Sequence, residues 1–334
     1  MSQGQWYPPE WPDRIRALAA GELTAVTPRR AATVMLLRDP GATSGTGATA
    51  GAKGRTGTEG QAGREGQAGT EGRTGAEEQG GTGGPVVHML RRRTSMAFAG
   101  GAYAYPGGGV DPRDDDRLIG WAGPPLEQWA DRLGVATVAE AQAIVCAAVR
   151  ETFEEAGVLL AGPTAGTVVG DTTGADWEAD REALVARDLS FAEFLDRRGL
   201  LLRSDLLGAW ARWITPEFEP RRYDTWFFVA ALPEGQRTRA VSTEADRTVW
   251  IAPAEATRRY DLGELLMMPP TVSTLRALTP FRTAAEALGA ADGQDMTPVL
   301  AQARLEGDEL VLSWPGHDEF TKHVATAGES GGAA

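Results

Sequence analysis

The spacing of apolar and polar positions divides the chain into strands and helices from Ala31 onward. Two short apolar runs, Ala31 to Asp39 (AATVMLLRD) and Pro85 to Arg93 (PVVHMLRRR), read as strands. Between them lies Gly41 to Gly84, which holds no aromatic residue and no Leu, Ile or Val. Such a segment has too little apolar surface to offset the entropy of ordering, so it is expected to be a disordered loop. The predicted arrangement is a β-hairpin with an expanded tip, tolerable because loop-closure cost grows only logarithmically with length. An aromatic strand, AYAY, then lies between Gly100-Gly101 and Gly107 to Gly109. Helical spacing covers Val138 to Ala156, with Ala141, Ile144, Val145, Ala148, Val149 and Phe153 on one face and Gly157 as the C-cap. Residues 112–137 and 163–208 read as insertions. The second is mostly helical, at Asp176 to Arg187 and at Ser190 to Arg197, with Ser190 as an N-cap.

Further strands are predicted at Trp210 to Thr215, Tyr223 to Leu232 and Val249 to Ala252, and the density of β-formers makes the second of these central. A helix is expected to begin near Ala252, a helical stretch to run from Thr271 to Ala291, and Pro298 to Arg304 to form a hairpin with Glu309 to Trp314. Interspersed strands and helices predict an α/β or α+β fold around a mixed sheet. The division expected is an N-terminal segment (1–30), a main domain (31–260), a helical and hairpin extension (261–327) and a disordered tail (328–334).

Composition narrows the function. The 334 residues are 42% hydrophobic, enough for a core, and carry a formal net charge of −13. That field repels nucleic acid, and there is no long basic tract to override it. The single cysteine, Cys146, lies in an apolar helical stretch and reads as a small buried hydrophobe. No basic and apolar leader and no run of about 18 apolar residues is seen, so a cytoplasmic protein without a membrane span is expected.

The helix ending at Gly157 carries the candidate chemistry. Glu151, Glu154 and Glu155 stand at i, i+3 and i+4, which share one helix face. Three carboxylates packed so closely repel one another, and a helix C-terminus disfavours negative charge. A divalent cation removes that penalty, and all-oxygen ligands favour Mg²⁺, Mn²⁺ or Ca²⁺ over zinc. Arg150, four residues before Glu154, is placed to orient a carboxylate of the cluster. Gly107 and Gly108 let the backbone approach another group closely. The three histidines, His88, His317 and His323, are scattered and none is required.

The pattern PGG…RETFEEAGV resembles the Nudix box, GX5EX7REUXEEXGU with U aliphatic. Arg150, Glu151, Glu154, Glu155, Gly157 and Val158 match its second half, and Phe153 stands at U. The first half departs. Gly108 lies 42 positions before Arg150 where the motif needs 14, and Asp114 stands at the distance of the first Glu. An interrupted box of this kind resembles the motif-19 branch, related to coenzyme A diphosphatases. Segments from about Ala31 to Ala256, including WARWITPEFEPRRYDTWFFVAAL, share the likeness.

The resemblance implies a mixed sheet sandwiched between helices and a hydrolase of a diphosphate linkage. It implies Mg²⁺ or Mn²⁺ held by Glu154 and Glu155, with Glu151 as third ligand or proton acceptor. Glu244 is the best match to an acidic residue from a later loop. It also implies a small nucleoside diphosphate derivative as partner, coenzyme A or acyl-CoA among the candidates, and leaves a homodimer open. The strict coenzyme A signature departs here, with Ala97 at its Arg position and Tyr105 at its Phe. Arg91, Arg92, Arg93, Arg221 and Arg222 are candidates to hold phosphates, and Arg91, Arg93 and Arg222 are singled out with Gly107 and Gly108 as substrate-binding. The second reading is a non-catalytic Nudix module that binds a nucleotide and regulates a partner.

Overall fold

The computed structural model describes residues 10–41, 77–79, 83–96, 99–115, 119–306, 309–314 and 322–324. The expected disorder over most of Gly41 to Gly84, and over 328–334, lies outside the described residues. The strands in chain order are β1 (Arg29–Arg38), β2 (Glu77–Gln79), β3 (Val86–Arg92), β4 (Tyr103–Ala104), β5 (Gly107–Gly109), β6 (Trp121–Ala122), β7 (Ala161–Gly162), β8 (Leu201–Arg203), β9 (Gly208–Ile214), β10 (Tyr223–Ala231), β11 (Ala245–Ile251), β12 (Val299–Leu300), β13 (Gln302–Glu306), β14 (Glu309–Ser313) and β15 (Lys322–Val324). The helices are α1 (Trp11–Ala19), α2 (Leu126–Leu133), α3 (Val138–Ala156), α4 (Ala175–Val185), α5 (Phe191–Arg197), α6 (Pro253–Asp261), α7 (Pro269–Leu278) and α8 (Ala284–Gly289).

The main sheet runs β12-β9-β10-β1-β3-β11-β2, with β4 paired to β3 and β5 to β1. Its interior strand β1 lies parallel to β10 and antiparallel to β3 and β5. Helices cover both faces. Ala32, Val34, Leu36, Trp226, Phe228 and Trp250 pack toward α3. Met35, Leu37, Val87, Met89, Phe227 and Val229 pack toward Val272, Leu275 and Leu278 of α7 and Ala284 and Ala287 of α8. Burial on both faces explains why AATVMLL reads as a continuous apolar run rather than an alternation. Residues 261–291, expected as part of an extension, are therefore one of the two helical layers, because a two-faced sheet must be covered twice.

Several elements differ from expectation. The hairpin of β1 and β3 is short, with only Leu37 facing Val87 and Arg38 facing Val86. On the same edge Ala31 to Thr33 of β1 pair with β5, so the glycines themselves are drawn into the sheet. Residues 77–79, inside the expected loop, form β2 alongside β11. The stretch 271–291 is broken into α7 and α8 around Pro280, which lacks the N–H a continuous helix needs. Helix α1 was invisible to periodicity because it buries only Trp11 and Ile15. The 163–208 segment also contributes β8, which joins β6 and β7 in a small sheet. No single helix among the described residues is long and apolar enough to cross a membrane.

His88 of β3 is fully buried, 5.2 Å from Trp250 by ring centroids. Neither ring nitrogen meets a hydrogen-bond partner among the described residues. Burial first, and then the charge of Arg38, lowers its pKa to about 3. The unfolded chain takes up a proton below about 6.5 and the native ring does not until about 3, so native stability is lost as pH falls through that window. His88→Leu is expected to add about 1 kcal/mol at pH 7 by removing an unpartnered buried polar group. Its advantage in urea unfolding is expected to widen at pH 4.5. An advantage that stayed constant with pH would show that the ring is not held neutral.

Candidate active site

Helix α3 is the platform. It opens with a capping box, in which the Thr137 side chain accepts from the Glu140 N–H and the Glu140 carboxylate accepts from the Thr137 N–H. It closes at Gly157 with φ +69°, where a Cβ would also stand 2.7 Å from Arg239 Nε. Its apolar positions anchor it in the core, which fixes where the acidic last turns project.

Arg150 organises those turns. Its Nε and Nη2 donate to the two oxygens of Asp114, each at 2.9 Å, and Nη2 also donates to the Gly109 carbonyl at 2.9 Å. Its Nη1 donates to Glu151 Oε1 at 2.8 Å and Glu154 Oε1 at 3.1 Å, leaving the other oxygen of each carboxylate outside that pairing. Asp114 is 1% exposed and also accepts the Asp111 N–H at 2.8 Å. The two halves of the interrupted motif thus meet through the Asp114–Arg150 pair. Residues Trp121–Ala122 and helix α2 loop out between them and return against α3. Asp114, expected only as a spacing match inside an insertion, belongs to the site.

The glycine strand β5 is pressed onto the same helix. Gly107 N–H donates to Glu155 Oε2 at 2.8 Å. A Cβ on Gly107 would stand 2.5 Å from the Ala32 carbonyl and 2.7 Å from Thr33 Cα. One on Gly108 would stand 2.5 Å from the Glu151 carboxylate. These glycines, expected to contact substrate, let the Glu155 and Glu151 carboxylates approach the backbone.

Electrostatics separates the acidic residues into two groups. Burial, then the charge of Glu151, then that of Glu244 push the Glu155 carboxyl up to about 8, against the Gly107 N–H and the charge of Arg92. Burial pushes Glu151 up to about 7 against the pull of Arg150. Glu154 is raised less, by burial, and its charged neighbours are Arg150, Asp114 and Arg113. Glu244 is 59% exposed on the loop before β11. Ser242 on the same loop stands 3.5 Å from Glu155 Oε1. The loop is held to α3 by the Arg239 N–H, which donates to the Ala156 carbonyl at 2.9 Å.

The donor set suits a hard cation: all oxygen, partly buried and mutually repelling around Glu155. Among the described residues no three His, Cys, Asp or Glu side chains are gathered into a ready-made cage, and Arg150 holds one oxygen each of Glu151 and Glu154.

The candidate arginines fare unequally. Arg91 Nε donates to Asp246 at 2.7 Å and Arg93 Nε to the Thr243 carbonyl at 2.6 Å. Arg222 is buried, with Nε on the Thr215 carbonyl and Nη1 on the Val26 carbonyl, so it staples the chain instead of facing a substrate. Tyr103, Tyr105, Trp213 and Trp226 are core residues.

Three comparisons place this arrangement. A family model described as the NUDT19 Nudix domain matches residues 123–278. The acyl-coenzyme A diphosphatase NUDT19 of Gallus gallus is 28% identical over 235 residues, covering 58% of this chain and 61% of that protein. Its counterpart in Xenopus laevis is 23% identical over 291 residues, covering 75% and 76%. The chain thus spans about three-fifths of the length of the chicken relative. The crystal structure of a NUDIX hydrolase from Alicyclobacillus acidocaldarius superposes with a TM-score of 0.56 at 25% identity, covering 82% of this chain and 99% of that one.

Proposed function

We propose that this chain, whose residues 123–278 match the NUDT19 Nudix domain model, is a Nudix hydrolase that cleaves a diphosphate linkage in a coenzyme A-type nucleoside diphosphate with the aid of Mg²⁺ or Mn²⁺. The observation that carries the reading is Glu155, a half-buried carboxyl whose strongest charged neighbour is another carboxylate, Glu151. Such a placement is costly unless a cation shares the site. Glu155 and Glu151 are the residues that would hold the ion, with the free oxygen of Glu154 beside them. When bound, a divalent ion neutralises charge developing on phosphate oxygens and acidifies water.

The chain's own residues supply the rest. The Gly107 N–H fixes the rotamer of Glu155, and Arg150 fixes Glu151 and Glu154. Glu244, carried on a loop tied to α3 and facing solvent, is placed to take the proton of the attacking water at a carboxylate oxygen. The relatives named acyl-coenzyme A diphosphatases support coenzyme A or its thioesters as substrate.

The test is a panel of coenzyme A, acyl-CoAs, NADH, ADP-ribose and dinucleoside polyphosphates with Mg²⁺ or Mn²⁺. Coenzyme A is expected to yield 3′,5′-ADP, and EDTA to stop the reaction. Nucleotide binding with no turnover of any member would instead favour the regulatory module. A second expectation concerns pH. Glu151 and Glu155 titrate natively near 7 and 8 against 4.5 in the unfolded chain, so without cation the native state loses stability as pH rises through 8. A cation favours the ionised form, so the rise in melting temperature on adding Mg²⁺ or Mn²⁺ is expected to be larger at pH 8.5 than at pH 6. An equal rise at both would place the ion elsewhere.

A further inference from the structure

Of three consecutive arginines, Arg91 and Arg92 end β3 and Arg93 follows it, and their surroundings separate them. The register of β11 against β3 shifts between Ala245 and Arg247, and Asp246 at that irregularity takes Arg91. Arg93 is held by the loop before β11, through its Nε on the Thr243 carbonyl and its N–H on the Glu244 carbonyl. Arg92 lies between them. Strand alternation turns it to the face of Val86, which packs toward α3. Its backbone is fixed by hydrogen bonds to Ala102 and from Gly101, each 2.9 Å.

The Arg92 side chain is incompletely used. Its Nη2 is 3.8 Å from Glu244 Oε2, a loose pair with a solvent-facing carboxylate. Its Nε is buried and meets no hydrogen-bond partner among the described residues. Its charge is felt at Glu155. A planar guanidinium that is 29% exposed and only loosely paired at Nη2, fixed beside acidic groups, has donors to offer an acceptor from outside the chain. We infer that Arg92 binds a non-bridging oxygen of the substrate's diphosphate, and that Glu244 is its resting partner, released when the anion arrives. The inference rests on the proposed diphosphate chemistry and names the residue that recognises it. In a chain of net charge −13 it also adds a positive charge that can draw a diphosphate toward the carboxylates.

The test uses the full chain with Arg92→Gln, Arg92→Lys and, as a matched loss of one surface charge, Arg258→Gln. Turnover of coenzyme A with Mg²⁺ is measured alongside ADP binding by calorimetry. Loss of a charged hydrogen bond predicts a KM for coenzyme A raised about tenfold or more in Arg92→Gln, with kcat changed less. ADP binding is expected to weaken by a similar factor, and Arg92→Lys, which keeps the charge but not the fork, to fall between. The cation-induced rise in melting temperature is expected to be unchanged. Wild-type KM and ADP affinity in a folded Arg92→Gln would overturn the inference while leaving the hydrolase reading intact. If Arg92→Gln does not fold, wild-type behaviour of Arg92→Lys would do the same. An inactive wild type that binds ADP through Arg92 would overturn the hydrolase reading and keep this one. A wild type that neither binds ADP nor turns over coenzyme A would end both.

Discussion

Glu155→Gln is expected to lower turnover about 10³-fold or more while raising the melting temperature measured without divalent cation. The two effects share one cause. Glutamine keeps an oxygen to accept the Gly107 N–H, so the geometry at β5 survives. It removes the charge that burial, Glu151 and Glu244 all oppose, which relieves the native state at neutral pH. The same charge is what a cation needs, so activity falls, and the cation-induced rise in melting temperature shrinks with it. Stabilisation bought at the expense of activity is the usual signature of a functional group held under strain. Activity within tenfold of wild type would show that no essential ion is held by Glu155.

Arg150→Met is expected to cost about 3–5 kcal/mol, because it leaves Asp114 buried and unpaired at 1% exposure. For a domain of this size that corresponds to a melting temperature lower by roughly 10 °C. The double variant Asp114→Leu/Arg150→Met removes both charges, and most of the stability is expected to return. Activity is not, since Glu151 and Glu154 lose the guanidinium that aims them. This pair of measurements separates holding the fold from aiming the carboxylates. Thermal unfolding of the single variant close to wild type would mean that the Asp114–Arg150 pair is not the closure of the interrupted motif. Full activity in the double variant would mean that Arg150 does not position the acidic residues.

The segment from Val138 to Gly157 forms α3 and its cap where the spacing predicted, because helix periodicity and a left-handed glycine are local properties. Tyr223–Ala231 is interior to the sheet, as its β-forming density predicted. Arg222, immediately before that strand, is as available for phosphate by sequence as its neighbours, but the structure gives its donors to the Thr215 and Val26 carbonyls. Val26 is 196 positions away in sequence, and no local pattern reports such a partner. Asp114 could be found by counting from Gly108, but its burial against Arg150 could not, because 36 positions separate the two.

Local sequence determined that Glu151, Glu154 and Glu155 share a helix face with Arg150 behind them, and that glycines precede them. Those properties follow from 3.6 residues per turn and from the absence of a Cβ, which need no distant partner. Only the folded chain decided that Asp114 closes the cluster, that Gly107 and Gly108 serve the carboxylates, and that Arg92 rather than its neighbours faces them. Strand register and one irregularity in β11 set those choices, and register is fixed by pairing between segments far apart in the chain.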